Sequence, residues 1–207
     1  MHPVNKRKTH QKNQERCDWC QNNLLYQQYH DEEWGVPVFD DNKLFEFLLL
    51  EGAQAGLSWL TILKRRNQYR RVFAQFNASK IARFSPKKME TILKDPGIVR
   101  NRLKVQSAVK NARAFLEIQA NFQSFARYSW DFVNGEPIIN RFKKVSQIPP
   151  TSKESIAFSK DLHQRGFSFV GPTIMYAYMQ AIGMVNDHIT SCFRYEQLIK
   201  KKYKQDT

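Results

Sequence analysis

Little in this chain would staple a small fold or carry it through a bilayer. Among 207 residues there are only 3 cysteines, Cys17, Cys20 and Cys192. That number excludes a disulfide framework and leaves metal ligation or plain burial as their use. The longest strictly aliphatic or aromatic run, Phe47 to Leu50, has 4 residues, against roughly 20 for a membrane helix. The basic N-terminus MHPVNKRKTHQKNQER lacks the apolar stretch of a secretory leader, so a reducing, cytoplasmic setting is expected. Internal repeats and low-complexity linkers are also missing. Acidic residues are scarce, 19 Asp and Glu against 33 Lys and Arg, a net charge of +14.

That charge points to a polyanionic partner. Residues 1 to 16 contribute +4 and residues 200 to 207 contribute +3, leaving +7 for the folded body. We therefore expect a basic, disordered extension over 1–15, a folded domain over 16–195 formed of two packed helical lobes, and a basic tail over 196–207. With 42% hydrophobic and 13% aromatic residues, the apolar surface suffices for one core.

The periodicity is helical. Lys43 to Glu51 reads as a buried helix broken by Gly52-Ala53-Gln54-Ala55-Gly56. Leu57, Trp59, Leu60, Ile62 and Leu63 follow at helical spacing, with Lys64-Arg65-Arg66 suited to that helix's C-terminal end. Further helices are predicted over Pro86–Lys94, Asn101–Gln119, Thr151–Gln164, with a Thr151/Glu154 capping box, and Pro172–Ile182. Only Phe167 to Val170 resembles a strand, so the expected class is all-α. Between two of the helices, Lys94 to Arg102 contains a Pro96-Gly97 turn that reads as a helix-hairpin-helix. Such a hairpin aims backbone N–H groups at a DNA phosphate, with Gly97, Arg100, Arg102 and Lys104 as the expected backbone contacts. The competing reading is an ordinary helical corner whose glycine adopts positive φ.

Two groups of residues carry possible chemistry. Cys17, His30, His188 and Cys192 make a Cys2His2 set suited to structural zinc; His188 and Cys192, four apart, would share one face of a helical turn. A gap of 158 residues separates His30 from His188, so the metal would tie the two ends of the chain together. Cys20 offers a rival Cys-x-x-Cys pairing with Cys17, and buried thiols beside hydrogen-bonded histidines are the alternative without metal. The second group centres on Glu51, a carboxylate delivered into apolar surroundings, which either contacts a ligand or pairs with an arginine such as Arg65. Around it in sequence stand Trp19, Tyr26, Tyr29, Trp34 and Trp59, able to stack on a planar base or to serve as core.

The strings Arg16-Cys17-Asp18-Trp19, Tyr29-His30-Asp31-Glu32-Glu33-Trp34-Gly35-Val36-Pro37, Leu50 to Trp59, Gly166 to Gly171 and Val185-Asn186-Asp187-His188 closely resemble the DNA-3-methyladenine glycosylase I family. The likeness covers about residues 16 to 195 in uninterrupted order. It implies an all-α, helix-hairpin-helix glycosylase fold with one structural zinc joining the N- and C-terminal regions, held by Cys17, His30, His188 and Cys192 and set away from the chemistry. It implies Glu51 as the acid that contacts the excised base, Tyr29 and Trp59 as aromatic pocket residues, and Trp19, Tyr26 and Trp34 as lining or supporting ones. The expected activity is hydrolysis of the N-glycosidic bond of N3-methyladenine in alkylated double-stranded DNA. The free base is released and an abasic site left, with no redox or nucleotide cofactor. We expect a monomer, bacterial in type and acting on the nucleoid. The competing reading is a zinc-organised DNA-binding module without activity.

One absence bears on mechanism. Many relatives in the wider superfamily carry a catalytic Asp after the hairpin, whereas between Gly97 and Asp131 this chain has no Asp, and Glu117 is the only carboxylate. The resemblance implies that the family dispenses with that acid.

Overall fold

The computed structural model describes residues 14–201; the extension over 1–13 and the last residues, 202–207, where most of the terminal charge lies, fall outside the described residues. The described residues form ten α-helices: α1 (Leu24–Glu32), α2 (Asp41–Gln54), α3 (Trp59–Val72), α4 (Ala78–Ile81), α5 (Pro86–Leu93), α6 (Arg102–Phe122), α7 (Phe125–Trp130), α8 (Lys153–Gln164), α9 (Pro172–Ala181) and α10 (Phe193–Lys200). Helices α1 to α8 each open on an Asn, Asp or Ser whose side chain accepts from a first-turn N–H, so local chemistry sets these starts before packing does. No helix among the described residues is long and apolar enough to cross a membrane.

Helix α2 is the axis of the molecule. Every residue from Leu44 to Ala53 is buried, Glu46 and Glu51 included, and α3, α6, α7 and α9 pack around it. An all-round buried helix must satisfy or isolate its polar side chains. Glu46 is satisfied: it accepts from Arg66 Nε and Arg70 Nη2, both at 2.7 Å. Arg66 also forks onto Glu33 at 2.7 and 2.8 Å, which ties α3 to the end of α1. Lys64-Arg65-Arg66 therefore lies mid-helix: Arg66 and Tyr69 extend the buried stripe of Ile62 and Leu63 and carry α3 on to Val72.

Other boundaries differ from expectation for local reasons. Gly52 does not break α2, because burial against Phe169 fills the space beside it; the helix ends two residues later. Helix α8 is capped by a Ser152/Ser155 box, not by Thr151/Glu154. Phe167 to Val170 is no strand. Asn111 clamps both backbone groups of Ser168, at 2.9 Å each, and Phe169 turns to φ 57°. The strands are two-residue pieces instead, Ile138–Ile139 (β1) parallel to Val185–Asn186 (β2). Helix α10, with Tyr195 and Leu198 buried, carries the folded body to Lys200, into the segment expected to be tail.

The hairpin joins α5 to α6. Asp95 accepts from the Gly97 N–H at 2.8 Å and from Gln68 Nε2, and the Tyr69 hydroxyl accepts from the Val99 N–H at 3.1 Å. Gly97 is required by space and not by positive φ: a Cβ there would stand 2.4 Å from Gln68 Cγ. The turn is thereby pressed directly onto α3.

Candidate active site and metal centre

Trp19, Tyr26, Tyr29, Trp34, Glu51 and Trp59, all named from sequence, line one cavity of 390 Å³, within the range of small-molecule sites, roughly 300–1,000 Å³. Three helices supply it: α1 brings Tyr26 and Tyr29, α2 brings Glu51, and α3 opens with Trp59. Gln54, Val145, Ile148, Ala177 and Gln180 complete the lining. Sequence reading missed these five because nothing in their spacing distinguishes them from ordinary surface or core. A larger cleft of 650 Å³ shares Tyr29 as a wall. Four of the charges there, Glu33, Lys43, Arg66 and Arg70, are already bound to one another or to Glu46, while Glu32 accepts only from Gln28 Nε2, at 3.1 Å.

Glu51 is 4% exposed and makes no hydrogen bond or ion pair among the described residues. The proposed partner Arg65 donates instead to the Thr61 carbonyl at 3.4 Å. Burial alone pushes the Glu51 carboxyl up to about 8. An unpartnered buried acid beside a cavity is poised to meet a cation or a hydrogen-bond donor brought by a ligand. Trp59 Nε1 is likewise buried without a partner.

The aromatic rings are packed for one-sided stacking. Tyr29 and Trp59 lie 5.4 Å apart at 51° and therefore touch, so a base cannot be held between them and must stack on a free ring face. Trp19 meets Tyr26 and Trp34 edge-on at 5.3 and 5.1 Å. Tyr26 is itself braced, its hydroxyl accepting from the Leu60 N–H at 2.9 Å. Leu57, counted from sequence with the helical pattern of α3, lies instead on the turn ahead of it, 41% exposed between lining residues Gln54 and Trp59.

The metal-ligating atoms of Cys17, His30 and Cys192 lie within 4.8 Å of one another and all three residues are buried, close enough to bind a metal ion. Cys192 Sγ stands 3.4 Å from His30 Nε2. Cys17, as hydrogen-bond donor, holds the Cys192 thiol below its ordinary pKa and is itself raised. His188 is outside the 4.8 Å set, but its ring lies 4.9 Å from that of His30. Its Nδ1 is engaged with Asn186 Oδ1 at 3.0 Å, and its buried Nε2 has no partner. His30 Nδ1 is held at 2.8 Å by Asp31, which in turn pairs with Arg16. Both imidazoles thus have Nδ1 bound to an oxygen acceptor and Nε2 left as the lone pair, the arrangement that second-shell acceptors impose on metal-bound histidines. The fit to a metal is good.

His188 and Cys192 do not share a helical turn; they lie on the loop ahead of α10, with Cys192 as its N-cap residue. Gly35 makes room for His188, at φ 75° where a Cβ would stand only 2.8 Å from His188 Cε1. Nor is the cluster remote from the pocket. Trp19 packs on His30 and Trp34 on His188, at 5.4 and 4.5 Å, and both tryptophans line the cavity. Cys20 is buried beside the cluster and donates to the Cys17 carbonyl.

At the hairpin, Arg100 is exposed, Arg102 pairs with Glu90, and Lys104 Nζ donates to the carbonyls of Ala53 and Ala55 at 2.9 and 2.6 Å. Glu117, the lone carboxylate between Gly97 and Asp131, is exposed on α6 and outside the aromatic cavity.

A hairpin pressed onto the helix that opens with Trp59, and a base-sized cavity whose one acid is unpaired, fit the all-α DNA glycosylase class that the sequence resemblance implies. Comparison with known proteins narrows it. The chain belongs to the methyladenine glycosylase family, whose model matches residues 19–195. It is 48% identical to DNA-3-methyladenine glycosylase 1 of Escherichia coli (strain K12) over 181 residues, 87% of this chain and 97% of that protein. A crystal structure of 3-methyladenine DNA glycosylase I superposes with a TM-score of 0.85 at 50% identity, covering 86% of this chain and 98% of the other. A Tyr-to-Phe variant of 3-methyladenine DNA glycosylase I in complex with 3-methyladenine superposes with a TM-score of 0.84 at 33% identity, covering 86% and 96%.

Proposed function

We propose that this chain excises N3-methyladenine from alkylated duplex DNA, hydrolysing the N-glycosidic bond and leaving an abasic site. The observation that carries the reading is Glu51, buried, unpaired and set in an aromatic cavity. A methylated adenine is planar, cationic and rich in exocyclic N–H donors, so it supplies the stacking surface, the charge and the hydrogen bonds that such a site lacks. Extrusion of the nucleotide costs a few kcal/mol, and exposed Leu57 is suited to fill the gap left in the duplex.

Because the Glu51 carboxyl titrates near 8, it is mostly protonated in the free protein at neutral pH. Entry of a cationic base favours its ionised form, so base binding and loss of that proton are coupled. When the bond between N9 and C1′ breaks, the electron pair stays on the base, which leaves neutral, and the positive charge passes to the sugar. The carboxylate keeps a cation in its field through that transfer. Water then captures C1′ and gives up a proton. Since the leaving group is already activated, no acid after the hairpin is needed, in keeping with the exposure of Glu117. Among the described residues no lysine lines the cavity, which favours a monofunctional hydrolase over a Schiff-base mechanism.

Cys17, His30, His188 and Cys192 would hold one structural zinc. Zinc bound there supplies a cross-link between the chain's two ends and adds folding free energy; its outer shell, Trp19 and Trp34, is the inner wall of the base pocket. We take the glycosylase domain to run from residue 16 through α10, to Lys200, rather than ending at 195. Chromatography of bases freed from methylated DNA tests the whole reading. Release of N3-methyladenine supports it, and DNA binding without release would leave a non-catalytic module.

A further inference from the structure

Helix α2 runs into a left-handed glycine, Gly56 at φ 77°, but its C-cap residue Ala55 is non-helical, at φ −42° and ψ 117°, so the turn satisfies only one closing carbonyl and the others need partners from elsewhere. The Gln54 carbonyl accepts from the Leu57 N–H. Those of Ala53 and Ala55 accept from a single ammonium, Lys104 Nζ, at 2.9 and 2.6 Å. Lys104 reaches them from the first turn of α6, where its own N–H is held by Asn101 Oδ1 at 3.1 Å. The cation therefore sits at the negative pole of α2.

We infer that Lys104 is a positioning residue for base excision, clamping the 53–57 turn onto the second helix of the hairpin, and that it is not a phosphate contact. The inference rests on the excision reading, under which this turn is where function concentrates. Glu51 lies two residues before Ala53, Leu57 is exposed, and Trp59 begins α3. To reach a phosphate, Lys104 would have to release two carbonyls for which the structure gives no other side-chain donor. Arg100, exposed and without an ion pair among the described residues, is free for that task. Two charge-assisted bonds from one side chain make the hairpin helix and the base-contacting helix a single body, so phosphate capture at the hairpin sets where Glu51 and Leu57 stand.

Lys104→Met keeps the stem and removes the donors, while Lys104→Arg can donate to two carbonyls again. In Lys104→Met, single-turnover release of N3-methyladenine is expected to slow ~10- to 100-fold, the scale of a misplacement of about 1 Å. The slope of log affinity against log salt for undamaged duplex should be unchanged. In the free protein, amide exchange at residues 54–59 should accelerate while 94–101 stays protected, and Lys104→Arg should restore both rate and protection. A slope reduced by about 0.9 with unaltered exchange would make Lys104 a phosphate contact and overturn the inference, as would wild-type rate, slope and exchange together. Should Lys104→Met fail to fold, Lys104→Arg decides: protected 54–59 amides support the clamp, fast exchange there refutes it. If the wild-type chain releases no base, the excision reading fails, and the exchange comparison still judges the clamp.

Discussion

Glu51 makes a prediction in which stability and activity move in opposite directions. Its carboxyl rises from 4.5 to about 8 on folding, so between those values the folded protein binds a proton that the unfolded chain has lost. Stability therefore falls as pH climbs from 4.5, and the whole burden is present once pH exceeds 8. At about 1.4 kcal/mol per pH unit the rise corresponds to about 5 kcal/mol, an upper bound that local relaxation reduces. Glu51→Gln removes the ionisation while keeping size and shape. We expect variant and wild type to melt within a few degrees of each other at pH 5 and to diverge steadily above it. At pH 9 the variant should be the more stable, by ~2–4 °C for each kcal/mol relieved in a chain of this length. Excision runs the other way. Wild-type kcat/KM on methylated DNA should rise with pH through about 8, the free-enzyme ionisation, whereas the variant should be slow and lack that inflection. Thermal denaturation and single-turnover release across pH 5–9 read both quantities. Parallel melting curves for the two proteins would refute the isolated-acid argument, and wild-type excision in the variant would remove Glu51 from the pocket's chemistry.

Other consequences are equally direct. Freshly purified protein should contain about one zinc per chain, and Cys192→Ser should lose both metal and thermal stability; metal-free protein, or a Cys192→Ser variant that melts like wild type, would remove the zinc. Gly35→Ala, which strains a φ of 75° and drives a methyl against His188, should destabilise by ~1–3 kcal/mol and loosen metal retention, as calorimetry and metal analysis would report. Glu46→Gln should destabilise where Glu51→Gln does not, because it breaks a buried pair with Arg66, a loss of about 3–5 kcal/mol measurable by denaturant unfolding. Excision should be fast for N3-methyladenine, weak for N7-methylguanine, whose O6 acceptor faces the carboxylate, and negligible for hypoxanthine. A neutral purine lacks the activated leaving group, and the missing acid is worth ~10²- to 10⁴-fold; comparable rates on hypoxanthine would mean that another group supplies acid catalysis.

What the sequence displayed and what it hid follow from the range of the interactions involved. The helical class was legible because apolar periodicity is a local signal, whereas residue type alone left Glu51 between a ligand contact and an arginine pair, and the aromatic rings between stacking and core. Arg66 was not legible. A basic triplet in a helical pattern looks like a C-terminal turn, and only the fold reveals that Glu33 and Glu46, 33 and 20 residues away, draw its side chain inward. The partners of Lys104 were hidden in the same way. Beside a hairpin its charge suggests a phosphate contact, while its partners are carbonyls 49 and 51 residues earlier. The loop at Phe167 to Val170 reads as a strand by residue type, yet Asn111 captures its backbone before any neighbour can pair with it. The metal ligands were visible as residue types, but the loop geometry of His188 and Cys192 depends on Gly35, 153 residues upstream of His188 in sequence and in contact with it in space.

Glu46 and Glu51 stand five residues apart on one buried helix, and their opposite environments explain how the pocket can exist. Helices α1, α2 and α3 each contribute a wall, through Tyr29, Glu51 and Trp59. On the far side of Tyr29 the same three helices are joined by Arg66, which holds Glu33 at the end of α1 and Glu46 on α2. Arg70 and Lys43 complete that cluster, so its carboxylates are paired before any ligand arrives. Among the described residues no cation pairs with Glu51, and burial alone acts on its carboxyl. Were Arg66 free to turn toward Glu51 the carboxyl would ionise against it, and a cationic base would meet a charge already neutralised. The polar network therefore does two things at once: it fixes the spacing of the pocket walls, and it keeps cations away from the one acid whose partner must come from the substrate.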